Sequence, residues 1–333
     1  MSIKNKLPYL IILIISTMIT VSSESWLGMW MGLEINLMSF IPLISKEKNK
    51  NSSQSMMIYF LTQSIGSIIF LFTVLMNSLF FINNAMIEEI MITMIMTSIF
   101  IKLGAAPFHF WLPEMMANLK WMECLILMTW QKVAPLVILS NIVIYNKYIY
   151  VTVMLSTLIG AIGGLNQTSL RKILAYSSIN HLGWMIMLLT MSVNWYNYLI
   201  FYSVMIMITC LFFFKNNNLF INQINKSSPS ILEKYTYVMI MLSLGGLPPF
   251  LGFFPKWMVI QSMISSQLYL LLLFMMLMSL LTLFYYLRMI TPLILSYTMS
   301  ISWNYCTSAS KTFLYFTIMT NFMLPIFSVW SFF

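Results

Sequence analysis

The chain has 333 residues, of which 60% are hydrophobic and 8% are charged. Soluble domains carry about 25% charged residues, so this composition excludes a soluble globule around a single core. The net charge is +9, but the basic residues stand singly in short segments between apolar runs, which indicates loop topology rather than nucleic-acid binding.

Apolar runs recur from one end of the chain to the other, which predicts an all-α polytopic membrane protein. A membrane helix needs about 20 apolar residues. The first run leads straight into further spans without a small-residue cleavage site, so we interpret it as a span and not as a signal peptide. We expect about 11 transmembrane helices, near residues 7–23, 26–45, 56–76, 86–111, 122–144, 148–165, 173–191, 196–214, 236–265, 268–291 and 313–331.

Most of the 17 basic residues fall in loops on the N-terminal side of these spans, and Lys147 falls on the opposite side. Three more, Lys102, Lys132 and Lys256, fall within spans. By the positive-inside rule, the N-terminus faces the cytoplasm or its organellar equivalent.

Spans 4 and 9 carry related interruptions, "LGAAPF" at 103–108 and "LGGLPPF" at 244–250. Glycine and proline at matching places in two halves of a chain are typical of inverted repeats around a transport site. We therefore expect one membrane domain, 1–333, made of a first inverted five-helix repeat (1–145), a second (146–292) and a C-terminal loop and helix (293–333). Helices 4 and 9 are discontinuous in this interpretation. The alternative is two unrelated proline kinks, since proline and glycine are frequent in membrane helices.

Four charged residues, Glu34, Lys102, Lys132 and Lys256, are predicted near the middle of the membrane. Each costs roughly 2.5–3.5 kcal/mol there, which packing alone seldom justifies. A single lysine can extend its ammonium to the interface, but this does not account for a set of central charges. The set indicates a proton relay.

Burial disfavours an ammonium and a nearby carboxylate favours it, so a lysine facing a carboxylate can alternately hold and release a proton. Glu34 and Lys102 are the predicted pair. His181 in span 7 is a further candidate, because imidazole exchanges protons near neutral pH; the alternative is a hydrogen-bonded packing histidine. For His109, after the break in span 4, we favour the packing role.

Cys124, Cys210 and Cys306 lie far apart, without the spacing of a disulfide framework, a metal site or an iron–sulfur centre. No nucleotide-binding glycine motif follows a strand. A methionine content of 33 residues suggests an AT-rich organellar gene.

Four segments together resemble the family of subunit 2 of mitochondrial NADH:ubiquinone oxidoreductase (respiratory complex I), one of the antiporter-like subunits of its membrane arm. The resemblance runs from about residue 26 to residue 256, and beyond about 290 only the hydropathy matches. The segments are "KLGAAPFHFWLPE", "TWQKVAPL", "QTSLRKILAYSSINHLGW" and "GGLPPFLGFFPKW".

The resemblance implies a role for each candidate residue. Glu34 matches the glutamate that pairs with the lysine of the first repeat, Lys102. Lys132 matches the bridging lysine, His181 a polar residue of the central hydrated axis, and Lys256 the lysine of the second repeat. Glu123 matches no part of the pattern and receives no role.

The resemblance also implies a proton-translocating core subunit of an enzyme complex, with no redox chemistry and no cofactor in this chain. FMN, iron–sulfur clusters, NADH and ubiquinone would be bound by other subunits. The implied partners are neighbouring antiporter-like and small core subunits, accessory subunits and membrane lipids, cardiolipin among them. The implied location is the mitochondrial inner membrane, with a matrix-side N-terminus and a mitochondrial gene.

Two other functions stay open on the sequence. An independent cation/proton antiporter would conduct when purified alone. A membrane scaffold would tolerate neutralisation of the four central charges.

Overall fold

The computed structural model describes residues 3–45, 50–79, 85–142, 147–227, 230–295 and 311–323. The chain divides into two compact units, Met1–Thr152 and Val153–Phe333. Within the described ranges the regular structure is helical, apart from one isolated bridge between Ser169 and Phe220. The predicted all-α fold is confirmed.

The first unit is built from seven described helices and the start of an eighth. Neighbours in sequence pack together from α1 to α4, and α7 packs against α1, α2 and α4. The helices are α1 (Ile3–Ser22), α2 (Trp26–Ile44), α3 (Lys50–Leu79), α4 (Ala85–Leu103), α5 (Trp111–Asn118), α6 (Trp121–Met128), α7 (Trp130–Ile142) and α8 (Lys147–Gly163).

The second unit holds the end of α8 and seven further described helices. Helix α9 is buried along almost its whole length, and α10 and α13 pack against it. The helices are α9 (Leu170–Thr190), α10 (Trp195–Asn216), α11 (Ile221–Ser227), α12 (Ile231–Gly245), α13 (Phe253–Ser265), α14 (Tyr269–Leu295) and α15 (Lys311–Asn321).

Among the described residues, six helical segments are long and apolar enough to cross a membrane. Backbone groups inside a bilayer must be satisfied within the protein, which is why these segments are helices. The predicted total of 11 spans, the repeat boundaries and the orientation stay predictions. The six segments are Trp26–Ile44, Lys50–Asn77, Trp121–Ile142, Leu170–Thr190, Trp195–Asn216 and Tyr269–Leu295.

Some predicted boundaries differ from the structure. Predicted span 4 stops at Leu103 and resumes as the short helix α5. Predicted span 5 is divided into α6 and α7 at Thr129, whose φ of −110° and ψ of −71° depart from the usual helical values. Cys306 and the end of the last predicted span, after residue 323, lie outside the described residues.

The breaks after α4 and α12 share one backbone conformation, a left-handed glycine at the end of the helix. Gly104 and Gly246 have φ of 71° and 77°, the left-handed conformation that glycine adopts without strain. The amide after each glycine reaches back five residues, from Ala105 to Phe100 O and from Leu247 to Leu242 O. This is a Schellman ending, and the prolines that follow prevent the helix from continuing.

Each unit also contains a charged side chain that bonds to a segment distant in sequence. In the first, Lys6 pairs with Glu123 at 3.1 Å and also donates to Leu43 O. Glu123 in turn accepts from the Lys120 amide at 3.1 Å and caps α6. In the second, Arg288 of α14 donates to the carbonyls of Leu165 and Gln167, which lie between α8 and α9.

Candidate functional site

Lys102 occupies the last turn of α4, directly before the break, and only 7% of it is exposed. Its aliphatic stem passes over Gly66 of α3, where a Cβ would lie 3.0 Å from Lys102 Cγ. Two backbone carbonyls at this end of α4 accept hydrogen bonds from neutral side chains. Trp111 Nε1 donates to Ile101 O at 3.1 Å, and Gln63 Nε2 donates to Lys102 O at 3.2 Å. The backbone is therefore capped without the lysine ammonium.

Lys102 and Lys132 line the same small cavity in the first unit. Its volume is about 20 Å³, enough for roughly one water molecule. Pro135 of α7 lines it as well and, lacking an N–H, gives no helical bond to the residue four positions earlier. The two predicted lysines are thus brought together at one polar cavity.

A network of neutral polar side chains also lines this cavity. Gln131 Nε2 donates to Asn36 Oδ1 at 2.8 Å, and Tyr59 Oη donates to Gln131 Oε1 at 3.3 Å. Asn36, Tyr59, Gln63 and Gln131 were not among the predicted site residues. Their signal in the sequence is a polar residue within a predicted span: Asn36 and Gln131 lie one or two positions from Glu34 or Lys132, and Tyr59 and Gln63 lie in the span that became α3.

Glu34 lies on α2, half-buried, one turn or less from Asn36. Its carboxylate is close enough to interact electrostatically with Lys102 and Tyr59. In this structure Glu34 and Lys102, both described residues, form no ion pair within 4.0 Å, and Glu34 Oε1 is buried without a hydrogen bond to a described group. The predicted pairing of Glu34 with Lys102 stays a prediction.

His109 is buried within the break between α4 and α5. Its Nδ1 lies 3.2 Å from Pro107 O, and its ring packs on Phe110 with centroids 4.2 Å apart. These local contacts are those of a packing histidine.

Lys256 lies at the start of α13 in the second unit, and 5% of it is exposed. Its Nζ donates to Gly245 O at 2.7 Å, at the C-terminal end of α12. The stem crosses Gly246, where a Cβ would lie 2.8 Å from Nζ. A helix C-terminus carries a partial negative charge, so this position stabilises a buried ammonium without a carboxylate.

His181 lies in the middle of α9, also in the second unit, and is buried. Its Nδ1 is 2.8 Å from Tyr198 Oη, and its ring centroid is 5.0 Å from that of Tyr202. The histidine therefore has a hydroxyl partner, Tyr198, and an aromatic neighbour, Tyr202, on helix α10.

The five predicted site residues thus form two sets, with Glu34, Lys102 and Lys132 in the first unit and His181 and Lys256 in the second. Buried amines and an imidazole beside polar partners can take up and release protons. Within the described ranges, no group of three or more histidine, cysteine or acidic residues is placed to hold a metal ion.

The sequence is similar to proteins of one family. Residues 23–282 match the family model described as NADH:quinone oxidoreductase/Mrp antiporter, TM. The relatives include proteins named "NADH-ubiquinone oxidoreductase chain 2" from three animals. That of Locusta migratoria is 46% identical over 85% of this chain and 83% of the relative. That of Aedes aegypti is 46% identical over 95% and 93%, and that of Loxodonta africana is 36% identical over 94% of each.

The fold is similar to chains of solved membrane complexes. One belongs to respiratory complex I from Thermus thermophilus, with a TM-score of 0.78 and 21% identity over 86% of this chain and 69% of that chain. A chain of the Mrp complex from Dietzia has a TM-score of 0.77 at 16% identity, over 85% of this chain and 59% of that chain. A chain of the archaeal membrane-bound sulfane sulfur reductase has a TM-score of 0.79 at 15% identity, over 96% and 72%.

Proposed function

Because the chain belongs to the family of NADH-ubiquinone oxidoreductase chain 2, we propose that it is a proton-translocating core subunit in the membrane arm of respiratory complex I. The family provides a membrane subunit of that enzyme, as the sequence resemblance predicted. In this proposal electron transfer occurs in other subunits, which bind FMN, iron–sulfur clusters, NADH and ubiquinone.

The cavity shared by Lys102 and Lys132 is the observation that carries the proposal. Two charged amines at one cavity disfavour each other, so protonation of one lysine would favour release of the proton from the other. The amides of Asn36 and Gln131 and the hydroxyl of Tyr59 form a hydrogen-bonded network that lines the same cavity. Approach of Glu34 would favour the charged form of Lys102, and its withdrawal would favour release.

His181 and Lys256 are the proposed proton-carrying groups of the second unit. Lys256 is held at the broken end of α12 by the Gly245 carbonyl. Among the described residues, Lys256 Nζ is held by one carbonyl and by no ion pair, so it has a single contact to leave when it exchanges its proton. We propose that each broken helix provides one lysine on which a proton rests.

The finer assignments follow the same proposal. The two broken helices would belong to inverted repeats, 1–145 and 146–292, followed by a C-terminal loop and helix, 293–333. The chain would lie in the mitochondrial inner membrane with its N-terminus in the matrix. Its partners would be neighbouring antiporter-like and small core subunits, accessory subunits and lipids that include cardiolipin.

Proton pumping by assembled complex I that carries Lys102→Met or Lys256→Met tests the proposal. We expect fewer protons pumped per NADH in each variant, because methionine fills the space without carrying a proton. Lys50→Met is the matched control, since Lys50 is exposed at the start of α3, and it should leave the ratio unchanged. A wild-type ratio in both site variants would overturn the relay.

Native electrophoresis of mildly solubilised membranes tests the assignment to the complex independently. We expect this chain and NADH dehydrogenase activity in one very large band. A chain that runs alone and small would contradict membership. Cation-dependent proton flux by the purified chain would then support an independent antiporter.

A further inference from the structure

Helix α3 provides no residue to the proposed relay, although it packs against α2, α4 and α5 around the first break. Gly66 is the only glycine of this helix and lies buried near its middle. Its backbone stays helical, whereas Gly104 and Gly246 adopt the left-handed conformation. Glycine inside a helix is less favourable than alanine. Gly66 therefore calls for a reason other than its backbone conformation.

Lys102 fills the space that the missing side chain of Gly66 leaves. A Cβ added to Gly66 would lie 3.0 Å from Lys102 Cγ, 3.4 Å from Lys102 Cε and 3.2 Å from Ser98 O. Two of these three nearest atoms thus belong to the lysine stem, and the third is a backbone oxygen of α4, one turn before Lys102. Because the backbone oxygen of a packed helix moves less easily than a side chain, an added methyl group would displace the lysine stem.

Gln63 holds the same lysine at its backbone. It lies one turn before Gly66, and residues three apart share one face of a helix. Gln63 Nε2 donates to Lys102 O at 3.2 Å, and Gln63 and Lys102 both line the cavity that Lys132 also lines. One face of α3 therefore contacts Lys102 at two points, the backbone carbonyl and the aliphatic stem.

The simpler interpretation is that Gly66 only allows α3 and α4 to approach each other. Small residues commonly serve this purpose between membrane helices, and the distance to Ser98 O agrees with it. The lysine, however, needs a defined path, because the cavity that it lines has a volume of only about 20 Å³. Small misplacements of a reacting group slow a reaction strongly. The placement of this stem therefore matters for proton exchange as well as for packing.

We infer that Gly66 and Gln63 are positioning residues that direct the side chain of Lys102 to the cavity shared with Lys132; this rests on the function proposed above. Gln63 fixes the backbone from which the side chain starts, and Gly66 leaves the space through which the stem passes. Neither residue exchanges the proton, so each acts through Lys102. A change at either position should therefore alter proton exchange by Lys102 while its amine is still present.

Gly66→Ala in assembled complex I, reconstituted into vesicles, tests the inference. The change adds one methyl group against the lysine stem, and alanine favours the helix more than glycine does. We expect the number of protons pumped per NADH to fall, by no more than in Lys102→Met, with an unchanged amount of this chain in the complex. We also expect the pH dependence of this ratio to shift, because the displaced amine has different neighbours. A packing defect alone would not shift it.

Gly32→Ala is the matched control. Gly32 lies inside α2 of the same unit, and its added Cβ would meet Thr20 and, at 3.1 Å, the backbone oxygen of Ser16. These atoms belong to α1 and not to the relay, and Glu34, two positions later, lies on another face of α2. We expect a lower temperature of thermal inactivation with a wild-type ratio and pH dependence. The same shift of pH dependence in Gly32→Ala and Gly66→Ala would mean that helix packing is the cause, and it would overturn the inference.

The double variant Gly66→Ala with Lys102→Met shows whether Gly66 acts through the lysine. We expect it to pump as many protons per NADH as Lys102→Met alone, because no amine is left to position, and residues that act together are not additive. A further loss in the double variant would show that Gly66 acts on another part of the protein, and it would overturn the inference.

Gln63→Leu covers the case in which Gly66→Ala does not assemble. Leucine has a similar volume and removes the donor to Lys102 O, so it should also lower the ratio and shift its pH dependence. Assembled Gly66→Ala or Gln63→Leu complexes that keep the wild-type ratio and pH dependence would overturn the inference if Lys102→Met pumps less. If Lys102→Met also keeps the wild-type ratio, the proposed function itself fails. The two failures are therefore distinguishable.

Discussion

The two broken helices end in the same way but hold their lysines differently. Gly104 and Gly246 close α4 and α12 with the same left-handed turn. Lys102 belongs to the helix that ends, and the carbonyls there bind Trp111 and Gln63. Lys256 belongs to the helix that begins after the break, and its ammonium binds the free carbonyl itself. The same glycine turn thus occurs beside two buried lysines, Lys102 and Lys256, whose surroundings differ.

This difference separates structural from chemical roles. The first break is complete without its lysine, so Lys102 is available to Glu34 and to the cavity shared with Lys132. At the second break the Gly245 carbonyl depends on Lys256, and loss of the Lys256 proton weakens this contact, although the glycine turn keeps its own hydrogen bonds. We therefore expect the second break to respond in conformation to protonation more strongly than the first.

The largest difference should appear when each lysine is replaced by methionine. Lys256→Met removes a charged hydrogen bond and leaves Gly245 O unsatisfied, at a cost of about 1.5–3 kcal/mol. Lys102→Met leaves the caps on α4 in place and should cost less. Thermal inactivation of the assembled complex measures this, and we expect the lower transition temperature for Lys256→Met. Equal transition temperatures would contradict the distinction.

Alanine at the two glycines should give the next largest effect. Each change forces a side chain into the left-handed region, at about 1–2 kcal/mol. At Gly246 the new Cβ would also lie 2.8 Å from Lys256 Nζ, whereas at Gly104 it would meet Leu112 Cδ1 at 3.1 Å. We expect both variants to lose stability, but only Gly246→Ala should displace the ammonium of Lys256. Pumping assays on the assembled complexes should therefore give a lower proton-to-NADH ratio for Gly246→Ala alone. A larger loss of pumping in Gly104→Ala would reverse the comparison.

Trp111→Phe tests the neutral cap of the first break. It removes the indole N–H that donates to Ile101 O. The Gly104 amide still donates to this carbonyl, so Ile101 O keeps one partner. The expected loss is about 0.5–1.5 kcal/mol, with normal pumping. Reduced pumping at normal stability would show that this cap participates in proton transfer.

The smallest effect should follow Glu123→Gln. Glu123 lies at the start of α6, after the first break, and pairs with a partly exposed lysine, Lys6. Glutamine keeps an oxygen that can accept from Lys6 and from the Lys120 amide, so thermal inactivation should shift slightly and pumping should not change. A pumping defect in this variant would add Glu123 to the relay.

The sequence predicted the features that depend on local chemistry. Glycine followed by proline predicted the stops after α4 and α12, and lysines inside apolar runs predicted the buried charges. The interruption at Thr129 was missed, because its hydroxyl bond to Leu125 O and the shift in backbone angles carry no pattern of spacing.

Features that depend on contacts between distant residues could not be predicted. Gln131 and Asn36 are 95 positions apart and meet only after α2 packs on α7. The contact of Tyr286 with Gly245 and the cap of Lys256 on Gly245 likewise depend on the packing of α12 with α14 and on the turn between α12 and α13. Periodicity identifies a buried face, but it does not identify the residue opposite.

The proton-to-NADH ratio of complex I that carries both Lys102→Met and Lys256→Met tests the central claim most directly. If the two lysines serve one relay, removing the second after the first has no further effect, because residues that act as a unit are not additive. We therefore predict that the double variant loses the same number of protons per NADH as either single variant. A loss equal to the sum of the two single losses, or no loss in any of the three, would contradict the account.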